Sequence, residues 1–228
     1  AGIAILIRFV QIPFEQLADQ WKNILVFMAL ASMILGAVAA IGQTNIKRLI
    51  AYSSIGHVGY ALAGISTGTV TGYSSSITYI SIYVIMNLGA FGCIFLMKKD
   101  GKYCEDIKNL EGISKQNPLL SISFLIIMFS LAGIPPLAGF FAKLYVFISV
   151  IESGMYTLAI VGLLSTVVSA FYYLRIIKII YFDEIKNPID NIKNLGITST
   201  IFLSCSILIL FFLYPSVLNN IVSTLSIN

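Results

Sequence analysis

Lys143 is the only charged residue deep within a long apolar stretch of this sequence, Leu131-Ala132-Gly133-Ile134-Pro135-Pro136-Leu137-Ala138-Gly139-Phe140-Phe141-Ala142-Lys143. An unpaired lysine at the centre of a bilayer costs about 2.5–3.5 kcal/mol on insertion scales, so such a residue faces a bundle interior or water. A lysine held there can take and release protons, which is the chemistry of proton translocation. Pro135 and Pro136 remove the two amides that would bond the carbonyls of Leu131 and Ala132, and their rings clash with the preceding turn. Gly133 and Gly139 free the backbone on either side. The pattern predicts a helix broken near 133–139, with Lys143 one turn past Gly139 and just beyond the partly positive N-terminus of the second half. Irregular backbone at membrane depth persists only where protein or a water-filled cavity satisfies it, and discontinuous helices recur at transporter ion sites. The competing reading has Lys143 near enough to an interface to snorkel.

A second polar cluster runs from Gln43 to Tyr60, QTNIKRLIAYSSIGHVGY. Thr44 or Asn45 suits a helix N-cap, and Lys47 and Arg48 suit a membrane boundary. Ser53, Ser54, His57 and Tyr60 carry hydroxyl and imidazole groups into the span itself, with His57 four positions after Ser53 and so on the same face. The sole histidine is a candidate relay near neutral pH, and Lys47 a second candidate. The alternative is a histidine hydrogen-bonded between helices, with Gly56 and Gly59 permitting close packing.

The elements that must position these groups are apolar helices. The 228 residues are 58% hydrophobic and 11% charged, with a mean hydropathy of +0.93, whereas a soluble domain carries about 25% charge. The 24 charged residues gather in short segments between apolar runs of bilayer-spanning length. Strands of a barrel would alternate in character, and these runs are apolar on every face. The fold expected is an all-α polytopic transmembrane bundle with one discontinuous helix. It comprises a helix tail at 1–12 and spans at 23–42, 47–68, 74–97, 117–150, 154–182 and 196–216. The run 117–150 would extend about 50 Å as one straight helix, too long for a hydrocarbon core of about 30 Å, so it must tilt or break.

Basic residues set the orientation. Lys47 and Arg48, then Lys98, Lys99, Lys102, Lys108 and Lys115, then Arg175, Lys178, Lys186 and Lys193 fall in or beside alternate loops, eleven of the fourteen Lys and Arg on one side. The opposite side holds Lys22 with Glu15, Asp19 and Glu152, and the C-terminus is expected outside the cytoplasm. The net charge of +4 therefore sits in loops rather than on a nucleic-acid-binding face. Cys93, Cys104 and Cys205 lack metal-ligand spacing and read as reduced thiols. No Gly-rich phosphate loop or Ser/His/Asp arrangement occurs in a convincing context. Tyr73, Tyr79, Tyr83, Tyr172 and Tyr173 suit either a hydrated path or, more commonly, bundle interfaces and the aromatic belt.

At these motifs the chain resembles the subunit N family of proton-pumping NADH:quinone oxidoreductase, respiratory complex I, an antiporter-like family. The matching stretches are QTNIKRLIAYSSIGHVGY, NLGAFG from Asn87, LEGIS from Leu110, SLAGIPPLAGFFAKLYV from Ser130 and YYLR from Tyr172. The resemblance implies a fourteen-helix subunit with two inverted five-helix repeats, each containing one interrupted helix. This chain would start within the family's eighth helix and carry the second repeat and the last helix. Lys143 matches the family's lysine on its second broken helix, while Lys47 and His57 match polar positions of the helix two before it. The family's membrane glutamate and its other lysines would precede Ala1. Lysine rather than glutamate at 143, and a chain ending soon after the last span, fit subunit N better than its sister subunits.

The function expected from this likeness is proton transfer through Lys143, coupled to quinone reduction elsewhere in the complex, by a non-redox subunit inactive as an isolated fragment. No cofactor would bind this chain. NADH, FMN, iron–sulfur clusters and quinone would belong to partner subunits, and the partners would be other membrane subunits of complex I and lipid, with no nucleic acid. The location would be a bacterial inner membrane, or the mitochondrial one for an organellar protein. The alternative is a cation/proton antiporter component built on the same helical plan.

Overall fold

Apolar runs with capping residues between them fold into helices in the computed structural model, which describes residues 2–99, 101–185, 190 and 194–211. Their order is α1 (Gly2–Gln11), α2 (Ala18–Ile41), α3 (Ile46–Ser66), α4 (Val70–Phe95), α5 (Ile113–Gln116), α6 (Pro118–Ala132), α7 (Ala138–Glu152), α8 (Tyr156–Phe182) and α9 (Leu195–Leu210). A 3-10 turn at Glu15–Leu17 precedes α2, and together they make one apolar run from Glu15 to Ile41, beginning before the expected 23. Trp21 explains the earlier start, since its Nε1 donates to the carbonyl of Phe14 at 2.9 Å and ties the turn to the helix. Among the described residues three helices are long and apolar enough to cross a bilayer, Glu15–Ile41, Val70–Phe95 and Tyr156–Phe182. The run 117–150 divides into two 15-residue helices, α6 and α7, each about 22 Å long. Lys186, Lys193 and residues 212–216 of the last expected span lie outside the described residues.

Caps follow from sequence. Asn45 accepts a bond from the amide of Arg48 at 3.1 Å and starts α3, Thr69 accepts from Gly72 at 3.1 Å and starts α4, and Asn117 accepts from Leu120 at 3.3 Å just before Pro118 opens α6. Each side-chain oxygen satisfies an amide that the first helical turn leaves without a partner. Helices α2 and α3 pack most intimately, because Gly36 lies against the Gly56 backbone and Gly59 against Met33 and Ala29. Such small-residue contacts let apolar helices associate where water supplies no hydrophobic drive between them.

The charged loops meet at one end of the bundle. A two-stranded hairpin, β1 (Lys98–Lys99) and β2 (Lys102–Tyr103), follows α4. Beyond it the chain zips onto the start of α3, with Ile46 N donating to Glu105 O at 2.8 Å and Ile107 N to Thr44 O at 2.9 Å. Gly112 N donates to Ile179 O near the end of α8, and Arg175 reaches the carbonyl of Ile41 at the end of α2. Among the described residues, the loops before α3 and after α4 thus connect with the ends of α2 and α8 on the side assigned by charge. Lys22 lies at the other end, against Gly68 in the α3–α4 turn.

Outward faces are greasy: Phe27, Val38, Leu164, Val167, Phe171 and Phe202 are exposed. The interior holds polar groups instead, among them Ser53, His57, Ser75, Ser76, Ser130, Lys143, Ser149 and Ser169. This inverse distribution is what a bundle in lipid requires.

Candidate functional site

The break begins with a C-terminal turn. Gly133 at φ 85° ends α6, a left-handed conformation that glycine adopts without penalty. The amides of Gly133 and Ile134 turn back to Ser130 and Phe129 carbonyls at 3.0 Å each. Residues 134–137 cross over, and α7 starts alongside the last turn of α6 rather than beyond it. Ser130 Oγ accepts from the amide of Gly139 at 3.1 Å, capping the new helix from the old one. A Cβ at Gly139 would overlap the Ser130 carbonyl oxygen, so the approach needs glycine.

With the proline amides missing, the carbonyls of Leu131 and Ala132 have no helical partner. Lys143 supplies one to each: its Nζ donates to Leu131 O and Ala132 O, both at 3.1 Å. The side chain leans toward the start of its own helix, as helical side chains do, and passes Gly133, where a Cβ would sit 3.0 Å from Lys143 Cδ. A buried carbonyl without a partner costs about 1–3 kcal/mol, and a lone lysine about 2.5–3.5 kcal/mol, so each resolves the other's penalty. The sequence placed Lys143 under the positive end of α7; the amine in fact turns to the negative, carbonyl end of α6, which suits a cationic donor better. Snorkelling does not occur, since Lys143 is 5% exposed.

Beside it the Tyr60 ring takes the amine over its face, with Nζ 5.3 Å from the centroid. Tyr60 Oη lies 2.9 Å from Thr166 Oγ1 on α8. His57, 3% exposed, is a further neighbour of Tyr60, with ring centroids 6.1 Å apart. Both imidazole nitrogens are occupied: Nδ1 is 2.7 Å from Tyr79 Oη, and Nε2 is 3.0 Å from Tyr173 Oη. Tyr83 stacks on the ring at 4.6 Å. Four helices, α3, α4, α7 and α8, therefore converge on one polar island. Among the described residues no group of His, Cys, Asp and Glu could hold a metal ion, and no carboxylate forms a salt bridge with Lys143; the two salt bridges found there lie elsewhere.

Comparison with known proteins places a chain with this broken helix and buried lysine in one group. The profile of the NADH:quinone oxidoreductase/Mrp antiporter transmembrane family matches residues 1–169. The chain belongs to that family. NADH-quinone oxidoreductase subunit N of Pelagibacter ubique (strain HTCC1062) is 57% identical over 227 residues, covering 100% of this chain and 48% of that protein. Its counterpart in Rhodospirillum rubrum is 48% identical over 217 residues, 95% of this chain and 45% of that one. The chain spans about half the length of the curated relatives it matches. A chain of respiratory complex I from Thermus thermophilus superposes with a TM-score of 0.74 at 28% identity, covering 87% of this chain and 45% of that chain. A chain of the Mrp complex from Dietzia sp. DQ12-45-1b gives a TM-score of 0.86 at 20% identity, covering 99% and 50%, a likeness of fold alone.

This member of the antiporter-like family is thus a multi-pass membrane protein whose sequence-chosen residues separate into two places. Lys143, His57, Gly133, Pro135, Pro136 and Gly139 lie at or beside the break and its polar island. Lys47 does not: it begins α3, about 15 Å along the helix from His57, and pairs with Glu105 at 2.7 Å. The Lys47 hydrogen bond, with help from Asn45, holds the Glu105 carboxyl below its ordinary value of 4.5. Sequence reasoning gave no place at the site to four contributors. Tyr60 and Ser130 sat inside quoted motifs without an assigned role at the island, and Tyr79 and Tyr173 were two tyrosines among five. A usable signal existed in the spacing Ser75-Tyr79-Tyr83 and Ser165-Ser169-Tyr173, two polar stripes at intervals of four along otherwise apolar helices.

Proposed function

We propose that this chain is the C-terminal part of a proton-translocating, non-redox membrane subunit of NADH:quinone oxidoreductase, with Lys143 as the mid-membrane proton carrier and His57 as its relay. The observation that carries the reading is the amine of Lys143, buried at a helix break with two carbonyls and an aromatic face as partners. A carboxylate partner would hold the proton tightly. Carbonyl dipoles and a ring stabilise the ammonium less, and leave one of its three donors for exchange.

Pro135, Pro136, Gly133 and Gly139 build the break, and Ser130 fixes the start of α7 so that Lys143 meets the freed carbonyls. Lys47 stands at the charged end, where its pairing with Glu105 shapes the potential at the mouth of the path; we place it outside the transfer chain. Redox cofactors, NADH, FMN, iron–sulfur clusters and quinone, belong in this reading to partner subunits, and the remaining membrane subunits of that complex are its neighbours in lipid. The chain alone does not pump.

The test uses the intact complex carrying the full-length subunit in vesicles. Lys143→Ala is expected to depress proton pumping per electron while quinone reduction with an uncoupler persists. Normal assembly with an unchanged proton-to-electron ratio would reject the proposal. A dependence of sodium flux on this protein would favour an antiporter role instead.

A further inference from the structure

Resting on the reading that His57 carries protons, we infer that the hydroxyls of Tyr79 and Tyr173 are obligatory members of the same transfer chain. Among the described residues these hydroxyls are the partners at hydrogen-bond distance from the two imidazole nitrogens. His57 is buried, its Nδ1 faces Tyr79 Oη at 2.7 Å and its Nε2 faces Tyr173 Oη at 3.0 Å. Tyr83 stacks on the ring at 4.6 Å, and the Tyr60 ring lies at a steep angle to it with centroids 6.1 Å apart. Lys143 bonds the carbonyls of Leu131 and Ala132 rather than the imidazole, and the Tyr60 ring neighbours both groups, 5.3 Å from the amine and 6.1 Å from the imidazole. Among the described residues each ring nitrogen has a phenol hydroxyl as its hydrogen-bond partner, so a proton that moves along these bonds passes through that hydroxyl.

The arrangement has the donor and acceptor count this needs. A neutral imidazole has one N–H donor and one bare nitrogen acceptor, and a phenol both donates and accepts. One tyrosine thus donates to the bare nitrogen while the ring N–H donates to the other tyrosine, and the line has a direction. When a proton arrives at the first hydroxyl oxygen, that oxygen's own hydrogen moves to the bare nitrogen. The opposite N–H hydrogen moves to the second hydroxyl oxygen, and the second hydroxyl releases its original hydrogen onward. One proton enters and one leaves, both tyrosines end neutral, and the ring ends in its other tautomer. Rotation of the hydroxyls and ring restores the first direction.

The line also points along the path. Tyr79 packs against Tyr60, the ring that also meets Lys143, with centroids 5.8 Å apart. Tyr173 packs against Tyr172 at 4.5 Å and meets Ser53, one turn nearer the charged end of α3. The relay joins the mid-membrane lysine to the loop side of the bundle.

The experiment measures proton pumping and quinone reduction in vesicles containing the intact complex with full-length subunit. Tyr79→Phe and Tyr173→Phe keep each ring and remove each hydroxyl. Each is expected to slow pumping by about tenfold or more, within the range for a lost proton-transfer group, while uncoupled quinone reduction persists. Fluorotyrosine placed at 79 or 173 preserves size and hydrogen bonding but changes hydroxyl acidity, so it decides the matter where a phenylalanine variant fails to assemble. A severalfold change in pumping rate is expected there, which mere packing would not produce. Wild-type pumping in the assembled phenylalanine variants, or an unchanged rate with fluorotyrosine, overturns the relay. Lys143→Ala run in parallel separates the two ideas: if it stops pumping while the tyrosine variants do not, the relay alone fails; if it too pumps normally, the underlying reading fails.

Discussion

Two lysines in this chain solve the same problem in opposite ways. Lys47, at the charged end, is about one-third exposed and meets a full carboxylate, Glu105 Oε1 at 2.7 Å, with the Tyr103 ring 5.4 Å from its amine. Lys143, in the interior, meets only the carbonyls of Leu131 and Ala132 at 3.1 Å and the face of Tyr60. A carboxylate carries a whole negative charge and makes release of the lysine proton expensive, whereas carbonyl dipoles and a ring quadrupole do not. The pair at the end is built to stay charged and hold a loop. The interior site holds its amine with dipoles and a ring alone, the feature on which the proposed proton-carrier role rests. The helix break follows from this: two prolines create the carbonyl acceptors, and no acidic residue is needed to house the amine.

The largest effect expected on this comparison comes from destroying the interior site while leaving the end pair alone. In Gly139→Ala the new Cβ would overlap the Ser130 carbonyl oxygen, and α7 must shift away from α6. Overpacking a tight contact of this kind costs about 3 kcal/mol. The variant is expected to lower the yield of assembled complex sharply, read by native gel, and equal yield with an unchanged thermal midpoint would mean the two half-helices are not in contact there. The next effect is functional. Lys143→Arg keeps the positive charge but cannot release it near neutral pH, so pumping should fall about 100-fold with the complex still assembled. Lys47→Arg keeps the Glu105 pair and should pump normally. Equal loss in both variants would erase the distinction between the two lysines.

How much of this was readable beforehand differs between the two regions for a physical reason. The break was legible because its chemistry is local: Pro135 and Pro136 orphan the carbonyls of Leu131 and Ala132 whatever surrounds them. The cap of α3 was legible on the same ground to within one residue, Thr44 or Asn45, and the structure assigns it to Asn45. Which group answers those carbonyls was not, because it depends on α7 starting beside α6, and that offset rests on the Ser130–Gly139 contact between half-helices. The His57 clamp was harder still. Helices that face lipid on one side and apolar neighbours on the other carry little rotational information in their hydrophobic pattern, so the sequence alone did not show whether Tyr79 and Tyr173 face the bundle centre or the lipid. Their spacing with Ser75 and Ser169 held that information, as polar stripes rather than apolar ones.

A smaller effect tests the end region. Asn45 caps α3 through the amide of Arg48 at 3.1 Å, and its Nδ2 donates to Glu105 Oε2 at 2.9 Å. Asn45→Ala should cost about 1 kcal/mol, seen as a lower thermal midpoint of the detergent-purified protein. Pumping per assembled complex should be unchanged, because the island around His57 lies about 18 Å further along the helix. A pumping defect without a stability defect would instead tie the loop to the transfer path.

The smallest effect is the acid dependence of the Lys47–Glu105 pair. Its Lys47 and Asn45 hydrogen bonds lower the Glu105 carboxyl from 4.5 in the folded state. The folded state therefore binds this proton less readily than the unfolded one, so the pair's contribution is fully present above the ordinary glutamate range and fades as pH falls through the lowered folded value. Being exposed and screened, it is modest at most. Hydrogen exchange reads it locally, at the amides of Ile46 and Ile107, which donate to Glu105 O and Thr44 O. At neutral pH these amides should exchange a few-fold more slowly in the native sequence than in Glu105→Gln, and the two should converge once the carboxyl is protonated. Protection that is equal at neutral pH would show that the backbone zipper holds the loop without the ion pair. The contrast between the two lysines would then rest on the interior site alone.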